Sequence, residues 1–428
     1  MYWSEIRDPV HGYISITELE REIIDTVYIQ RLHNIKQLGG AYLTYPGAVH
    51  TRFIHSIGAM YLVSILGETL KRQEIISEDD KIKLRLAALL HDVGHGPFSH
   101  LYEEIAIKYL GKTHEDLATW IIVNSEIKDI ISKYGFNYKE VSELCVGRSL
   151  TNKRFLNEAI AGPVDVDKLD FLMRDSYFTG VEYGYVDVQR LLNSITVVND
   201  HLAIDTASIS ALEAYIIARY EMFKAVYYHR TVRSANLMLI KIMDYAKDYL
   251  GLISFTTPEE YSKLYDSSIL LLMNFVKEKD ENLRRALTFY NLLKERRLLK
   301  CAFETLVHVK NKFVSELFTL EKLRREIEEE IERKAHIPPD SVFIDVPTLP
   351  SIPLSKHQTD PMEIMIFSER TNGEKVLKKL SSVSELASAL KLYLNVIRVY
   401  TFPEYRNEVA KATNEVFGVS PISNKVSF

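Results

Sequence analysis

Two cysteines, Cys145 and Cys301, are all that the 428 residues hold, and they stand far apart with no CxxC spacing. Neither a disulfide framework nor a thiolate zinc site can organise such a chain. An excess of positive charge is also missing, since 53 Lys and Arg face 58 Asp and Glu for a net charge of −5. No global field therefore draws the protein to nucleic acid or to an anionic membrane surface, although a local basic pocket is compatible with this balance. Long apolar runs are lacking, and the opening stretch MYWSEIRDPVHG has no basic-then-apolar signal pattern. The expectation is a cytoplasmic protein without membrane contact. Internal repeats and low-complexity tracts are absent too. What remains is an ordinary globular composition, 46% hydrophobic and 26% charged, in a chain long enough for two or three domains and a large core.

The periodicity is mainly helical. Residues 1–20 read as a short extended arm, with a turn at Asp8-Pro9 and a break at Gly12. Apolar residues at helical spacing then predict helices over 18–38 and 53–71. Ser77 and Asp80 have the spacing of a capping box, opening a helix that delivers His91 and Asp92 in its last turn. Thr113 and Asp116 repeat that spacing and put His114 and Glu115 in the first turn of another helix. Helices are also predicted over 164–175 and, without interruption, from about Ser208 to Lys247. The charged stretch LEKLRREIEEEIERKA reads as a mostly solvated helix. Beyond Ile337-Pro338-Pro339 the pattern turns β-like at Ser341–Val346, Ile364–Phe367 and Val396–Thr401, with one helix near Val383–Leu394. The predicted fold is mainly α, a helical core with a small C-terminal α+β lobe. Its divisions are a core over 1–250 with an N-terminal arm, a helical extension over 251–336 and the lobe over 337–428.

The chemistry concentrates in HDVGHGPFSH, residues 91–100. An adjacent His-Asp pair offers one imidazole nitrogen and one hard carboxylate oxygen to a divalent metal. Gly94, Gly96 and Pro97 bend the chain, so His95 and His100 need not follow the helix away. A chance cluster at a solvated helix end gives the same letters, so partners elsewhere decide the matter. His55, in TRFIHS, and Asp167, in DVDKLD, are the candidates, although a histidine packed on an apolar helix is the better account of His55 taken alone, and a surface carboxylate accounts equally for Asp167. Together His55, His91, Asp92 and Asp167 would supply two nitrogens and two oxygens, a set suited to iron, manganese, zinc or nickel. Open positions on such an ion activate water and polarise a phosphoryl oxygen.

The motifs DPVHG (8–12), IIDT (23–26), QRL…IKQLGG (30–40), YPGAVHTRFIHSIG (45–58), HDVGHGPFSH (91–100), THED (113–116) and DVDKLDFLMRD (165–175) recur in a fixed order. In this the chain resembles the HD-domain phosphohydrolase superfamily. Within it, the resemblance is to the deoxynucleoside triphosphate (dNTP) triphosphohydrolases of the type fused to a sterile-alpha-motif domain in animals. That resemblance implies that His55, His91, Asp92 and Asp167 are the metal ligands. It implies that His95, His100 and His114 surround the α-phosphate, with Glu115 beside them, while His100 protonates the departing 5′-oxygen. Glu103 would orient His100, in a place where the family pattern has aspartate. The implied reaction is in-line attack of activated water on the α-phosphorus, giving deoxynucleoside and triphosphate, with magnesium accompanying the substrate phosphates. Arg52, Lys168 and Arg219 match phosphate-contacting positions, Tyr227 lies beside the sugar, and Gln37 and Leu38 lie at the base and sugar edge. Asp175 and Tyr228 complete the implied substrate set. Phe171 stands where the family has a tyrosine, which removes one hydroxyl near the sugar.

Relatives in that family are activated by a nucleotide bound between subunits, which implies a homodimer or homotetramer. Asp25 and Gln30 match regulatory positions, but His33 replaces an arginine and Ser4 a lysine. Guanine-nucleotide activation is therefore expected to be absent or altered. The competing readings are an HD phosphohydrolase acting on another nucleotide (a monophosphate or signalling nucleotide), a single-stranded nucleic-acid-binding protein or nuclease, and a sensor that has lost catalysis. The acidic net charge argues against the nucleic-acid reading, and the complete ligand set argues against the sensor.

Overall fold

A computed structural model describes residues 2–150, 152–308, 321–346, 363–371, 375–390 and 394–418. Elements are numbered below in chain order as they are introduced. The chain opens with a hairpin of β1 (Tyr2–Asp8) and β2 (Gly12–Thr17), and Thr17 and Glu20 then form a capping box for α1 (Glu18–Ile24). The central element is α2 (Arg52–Arg72). By length and composition it could cross a membrane, yet 72% of its apolar window is buried inside the protein, as suits a core helix. It packs against α3 (Glu78–Leu90), whose Leu84, Leu86, Leu89 and Leu90 are fully buried. The predicted Ser77–Asp80 capping box is present. The helix ends at Leu90, two residues short of the expected end, so His91 is its C-cap and Asp92 lies in the following turn.

Next come α4 (His100–Leu110), α5 (His114–Asn124) and α6 (Val166–Thr179). Thr113 and Asp116 cap α5 as predicted, while Asp165 caps α6 by accepting the Lys168 backbone N–H. The long helix expected over 208–247 is in fact two helices. A π turn over Phe223–Tyr227 and a break at His229 separate α7 (Ile209–Met222) from α8 (Arg230–Ala246). The widened turn leaves the Ala225 carbonyl outside the regular ladder, where it accepts a hydrogen bond from the Tyr45 hydroxyl at 2.6 Å.

Strands occur where helix was expected. β3 (Ile195–Val198) and β4 (His201–Asp205) form a hairpin, and β5 (Lys300–His308) follows α9 (Glu281–Lys294). After α10 (Glu321–Ala335) come the predicted strands β6 (Val342–Asp345), β7 (Met365–Glu369) and β9 (Leu394–Thr401), with an unpredicted strand β8 (Lys375–Lys379) between the last two. The short helix Glu385–Leu390 lies where one was predicted, while residues 391–393 of that prediction lie outside the described residues. One sheet has the order β3-β4-β7-β8 and another β5-β9-β6, so both join strands from either side of residue 337. The α10 helix is less solvated than its charge pattern suggests. Glu328 and Glu332 are buried, and their carboxylates accept the backbone N–H groups of Ile344, and of Ser341 and Val342. The buried charges thereby cap backbone donors at β6. The helix α11 (Arg406–Phe417) completes the lobe.

Candidate metal and phosphate site

Three segments converge at one end of the helical core. The first turns of α2 bring Arg52 and His55, the end of α3 brings His91 and Asp92, and the start of α6 brings Asp167. His55 Nε2 lies 3.0 Å from Asp167 Oδ1, 3.6 Å from Asp92 Oδ2 and 3.3 Å from His91 Nε2. His91 Nε2 lies 3.3 Å from Asp92 Oδ1. Each histidine spends its other nitrogen elsewhere: His55 Nδ1 donates to Asp170 Oδ2 at 2.7 Å, and His91 Nδ1 to the Ala88 carbonyl at 2.7 Å. Both Nε2 atoms are thus turned toward the same carboxylates, the orientation that outer hydrogen bonds impose on metal-binding imidazoles. Nitrogens about 2.1 Å from a shared ion would stand about this far apart. The donor set fits a divalent transition ion.

Electrostatics agree. Burial opposes the charged form of His55, but hydrogen bonds to Asp167 and Asp170 and the field of Asp92 push its pKa up to about 10. Burial works against the Asp92 and Asp167 carboxylates as well. Arg52 and the neighbouring histidines nevertheless hold Asp92 well below its usual range, and His55 does the same for Asp167. The cluster accumulates carboxylate charge and retains positive charge in answer, a role that a bound cation would fill.

Beside it stand three more histidines. His95 stacks on His114, with centroids 4.1 Å apart, and His100 meets both rings edge-on. Glu103 grips two of them, accepting from His100 Nδ1 at 3.1 Å and from His114 Nδ1 at 2.7 Å. Burial raises the Glu103 pKa, yet these histidines hold it well below the carboxylate range; conversely, Glu103 outweighs burial at His114 and lifts it to about 9. His95 is buried and faces Arg52, which keeps it neutral, and its Nε2 lies 3.2 Å from Asp92 Oδ1. The three histidines also bring ring nitrogens within 4.8 Å of one another, as do His55 and His91 with Asp167 Oδ1.

The bend that places them differs from the expected one. Neither Gly94 nor Gly96 has positive φ; they are needed for close approach, because a Cβ at Gly94 would lie 2.0 Å from the His114 carbonyl and one at Gly96 2.1 Å from the Tyr102 ring. The left-handed residues are Phe98 and Ser99, at φ 58° and 61°. Three groups hold that strained turn, for Asp266 accepts the Phe98 N–H at 2.6 Å, and Ser99 Oγ joins Arg52 Nε to the Lys36 carbonyl. Sequence reading missed Asp266, as it missed Arg31, whose buried guanidinium donates to the carbonyls of Val93, His95 and Leu264. No local pattern marks either residue, because their targets are main-chain atoms far along the chain.

A cavity of about 420 Å³ joins both clusters to the remaining candidates, lined by Gln37, Leu38, Glu115, Phe171, Arg219 and Tyr228 among others. That volume is within the range of small-molecule sites. Tyr227 donates to Asp175 Oδ2 at 2.6 Å, and His50 Nε2 binds Asp175 Oδ1 at 2.7 Å. Phe171 meets the Tyr227 ring edge-on at 6.2 Å. The three cations differ in their commitments. Arg52 pairs with Asp92, and Lys168 with Asp165 at 2.5 Å, whereas Arg219 forms no carboxylate pair among the described residues and binds only the Tyr215 hydroxyl. Asp25, Gln30 and His33 stay outside the cavity, exposed near the first helices: Asp25 pairs with Arg21, Gln30 donates to the Ile24 carbonyl and His33 stacks on Phe53.

Comparison with known proteins agrees with this geometry. The HD domain family matches residues 52–146, and the HD associated region family matches residues 186–428. An uncharacterized protein of Bacillus subtilis, YwfO, is 35% identical over 270 residues, covering 62% of this chain and 61% of that protein. Human deoxynucleoside triphosphate triphosphohydrolase SAMHD1 is 30% identical over 347 residues, covering 70% of this chain and 55% of that one. The chain thus spans less than two thirds of the length of these two relatives. A crystal structure of a hypothetical protein from Aquifex aeolicus superposes with a TM-score of 0.76 at 28% identity, covering 96% of this chain and all of the other. The metal-ready His/Asp cluster lies inside the matched HD segment and at its partner helix α6, and the chain belongs to the HD-domain family of metal-dependent phosphohydrolases.

Proposed function

We propose that the protein hydrolyses deoxynucleoside triphosphates to deoxynucleoside and inorganic triphosphate. The observation that carries the reading is the junction of two clusters in one cavity, the His55–His91–Asp92–Asp167 set and the histidine trio governed by Glu103. His55, His91, Asp92 and Asp167 would hold a divalent ion, which when bound would supply Lewis-acid polarisation of a phosphoryl oxygen and activation of a water. The chain's own residues do the rest. His114 and His100 face the phosphate with their Nδ1 atoms tied to Glu103, leaving each Nε2 for the substrate. His100, about half exposed, protonates the departing 5′-oxygen, while His114 stabilises negative charge on the phosphoryl oxygens. Arg219 is the cation ready for the triphosphate, and Lys168 and Arg52 follow by exchanging carboxylate partners for phosphate oxygens. Phe171 and Tyr227 form a floor against the sugar that favours deoxyribose. Magnesium accompanies the triphosphate, and the active form is a homodimer or homotetramer.

The test is to incubate each dNTP and NTP with manganese-reconstituted protein and identify the products by ion-exchange chromatography. Deoxynucleoside with intact triphosphate supports the proposal. Orthophosphate alone, or turnover only of monophosphates or signalling nucleotides, would refute it in favour of another HD phosphohydrolase reaction. Asp167→Ala is expected to abolish turnover and to lower bound metal together, and full activity of that variant would refute the ligand set.

A further inference from the structure

The DPVHG motif at the tip of the β1–β2 hairpin takes no part in the chemistry above, yet it reaches the carboxylate that backs the metal site. His11 is 5% exposed, and its Nε2 binds Asp170 Oδ1 at 2.6 Å. The other oxygen of the same carboxylate holds His55 Nδ1. Arg174 closes a ring around it, binding Asp170 through Nε and Nη2 and reaching Asp8 Oδ2 through Nη1, each at 2.8 Å. Asp8 Oδ1 in turn accepts the backbone N–H groups of Val10 and His11, which fixes the turn that aims the His11 ring. His11 also lies against Tyr61, one and a half turns beyond His55 on α2. Room for the ring comes from Gly58, where a Cβ would stand 2.0 Å from Asp170 Oδ1 and 2.2 Å from Arg174 Nη2. All four side chains are buried and mutually satisfied, so none has freedom to re-aim without leaving another unpaired.

We propose that His11 is a positioning residue for the metal centre, orienting His55 through Asp170, so that the N-terminal hairpin sets metal affinity from outside the helical core. The inference rests on the reading of His55 as a ligand. Without the His11 donor, the Asp170 carboxylate is restrained only by the Arg174 fork and by His55 itself, so its position and charge are less firmly fixed and the ring angle of His55 that aims its Nε2 is held less tightly. Loss of outer-sphere partners of this kind typically lowers metal affinity by roughly 10- to 100-fold, and His11, one link further out, should give about tenfold.

The experiment measures the affinity of the full-length apoprotein for Mn(II) by chelator competition, in His11→Leu, which fills space without a donor, and His11→Gln, which retains one. The expected result is about tenfold weaker Mn(II) binding in the leucine variant, near-wild-type binding in the glutamine variant, and recovery of leucine-variant turnover at saturating Mn(II). Equal affinity in leucine variant and wild type, or equal losses in both variants, would overturn the proposal. Should His11→Leu fail to fold, Asp8→Asn keeps the turn and weakens only the Arg174 end; reduced Mn(II) affinity there supports the network, and unchanged affinity overturns it. Asp167→Ala separates this inference from its premise. If Asp167→Ala loses Mn(II) while His11→Leu does not, the positioning role alone fails; if Asp167→Ala keeps Mn(II), the ligand assignment itself fails.

Discussion

Replacing Glu103 by glutamine should move the alkaline limb of the pH–rate profile. In the native protein this carboxylate serves two histidines at once, and a rise of His114 from 6.5 to about 9 corresponds to about 3 kcal/mol in favour of its imidazolium. Glutamine preserves shape and one hydrogen bond but removes the charge, while burial, which opposes the imidazolium, remains. His114 should then titrate at or below 6.5. At pH 7.5 protonation alone costs about tenfold in kcat/KM, and the loosened aim of His100 carries the loss toward the roughly 10²–10⁴-fold worth of a general acid. The profile of kcat/KM for a dNTP, measured from pH 6 to 10 at saturating metal, should show its alkaline limb falling from near 9 in the wild type to below 7 in the variant. Glu103→Asp keeps the charge and should leave that limb in place. An unmoved limb in Glu103→Gln, with kcat/KM within about twofold of wild type, would refute the assignment of Glu103 as the group that sets the protonation of His114.

Stability follows the same pair with a definite sign. His114, raised in the folded state, contributes stability that is fully present below about 6.5 and lost as pH rises through 9. Glu103, lowered in the folded state, contributes above about 4.5 and loses its share as pH falls below that value. Because one interaction underlies both, apoprotein melting temperature should be highest between these limits and fall on either side, with the difference between wild type and Glu103→Gln shrinking toward pH 9. Gly58→Ala drives a methyl group into Asp170 and Arg174, so it should cost about 1–3 kcal/mol in chemical denaturation and lower Mn(II) occupancy; a neutral, fully metallated variant contradicts the packing described. Arg31→Met strands the carbonyls of Val93, His95 and Leu264, at about 1–3 kcal/mol for each left unsatisfied, and should lower both melting temperature and kcat by loosening the turn before His100. GTP added at fixed dATP should give little or no activation, since His33 stacks on Phe53 instead of offering a guanidinium fork; a strong rate increase would contradict this.

Legibility in the sequence followed the range of the interactions. Capping boxes at Ser77–Asp80 and Thr113–Asp116 are three-residue devices, and both helices start where those residues say. The β3–β4 hairpin is local too, and its Asn199-Asp200 turn beside β-branched residues was a signal that went unread. The strand β5 went unseen because its partner is remote, Lys300 pairing with Thr401, and the outer partner of β4 is likewise distant, Ala203 pairing with Met365. The π turn at Phe223–Tyr227 was hidden for a related reason, since its exposed carbonyl is satisfied by Tyr45, almost 200 residues away. At the site the order of difficulty is the same. Residues that present an imidazole or carboxylate to one point carry a composition signal, and the motifs TRFIHS, HDVGHGPFSH and DVDKLD made His55, His91, Asp92 and Asp167 candidates. Residues that hold those groups in place carry almost none, because Arg31 and Asp266 act on main-chain atoms and Asp170 acts from behind His55. His11 is the intermediate case. Its motif is conspicuous, but its purpose appears only when the hairpin is seen to close over α6, which places a histidine from residue 11 beside a carboxylate from residue 170. A network of that kind is specified by mutual satisfaction in three dimensions, so each member taken alone looks like an ordinary buried charge.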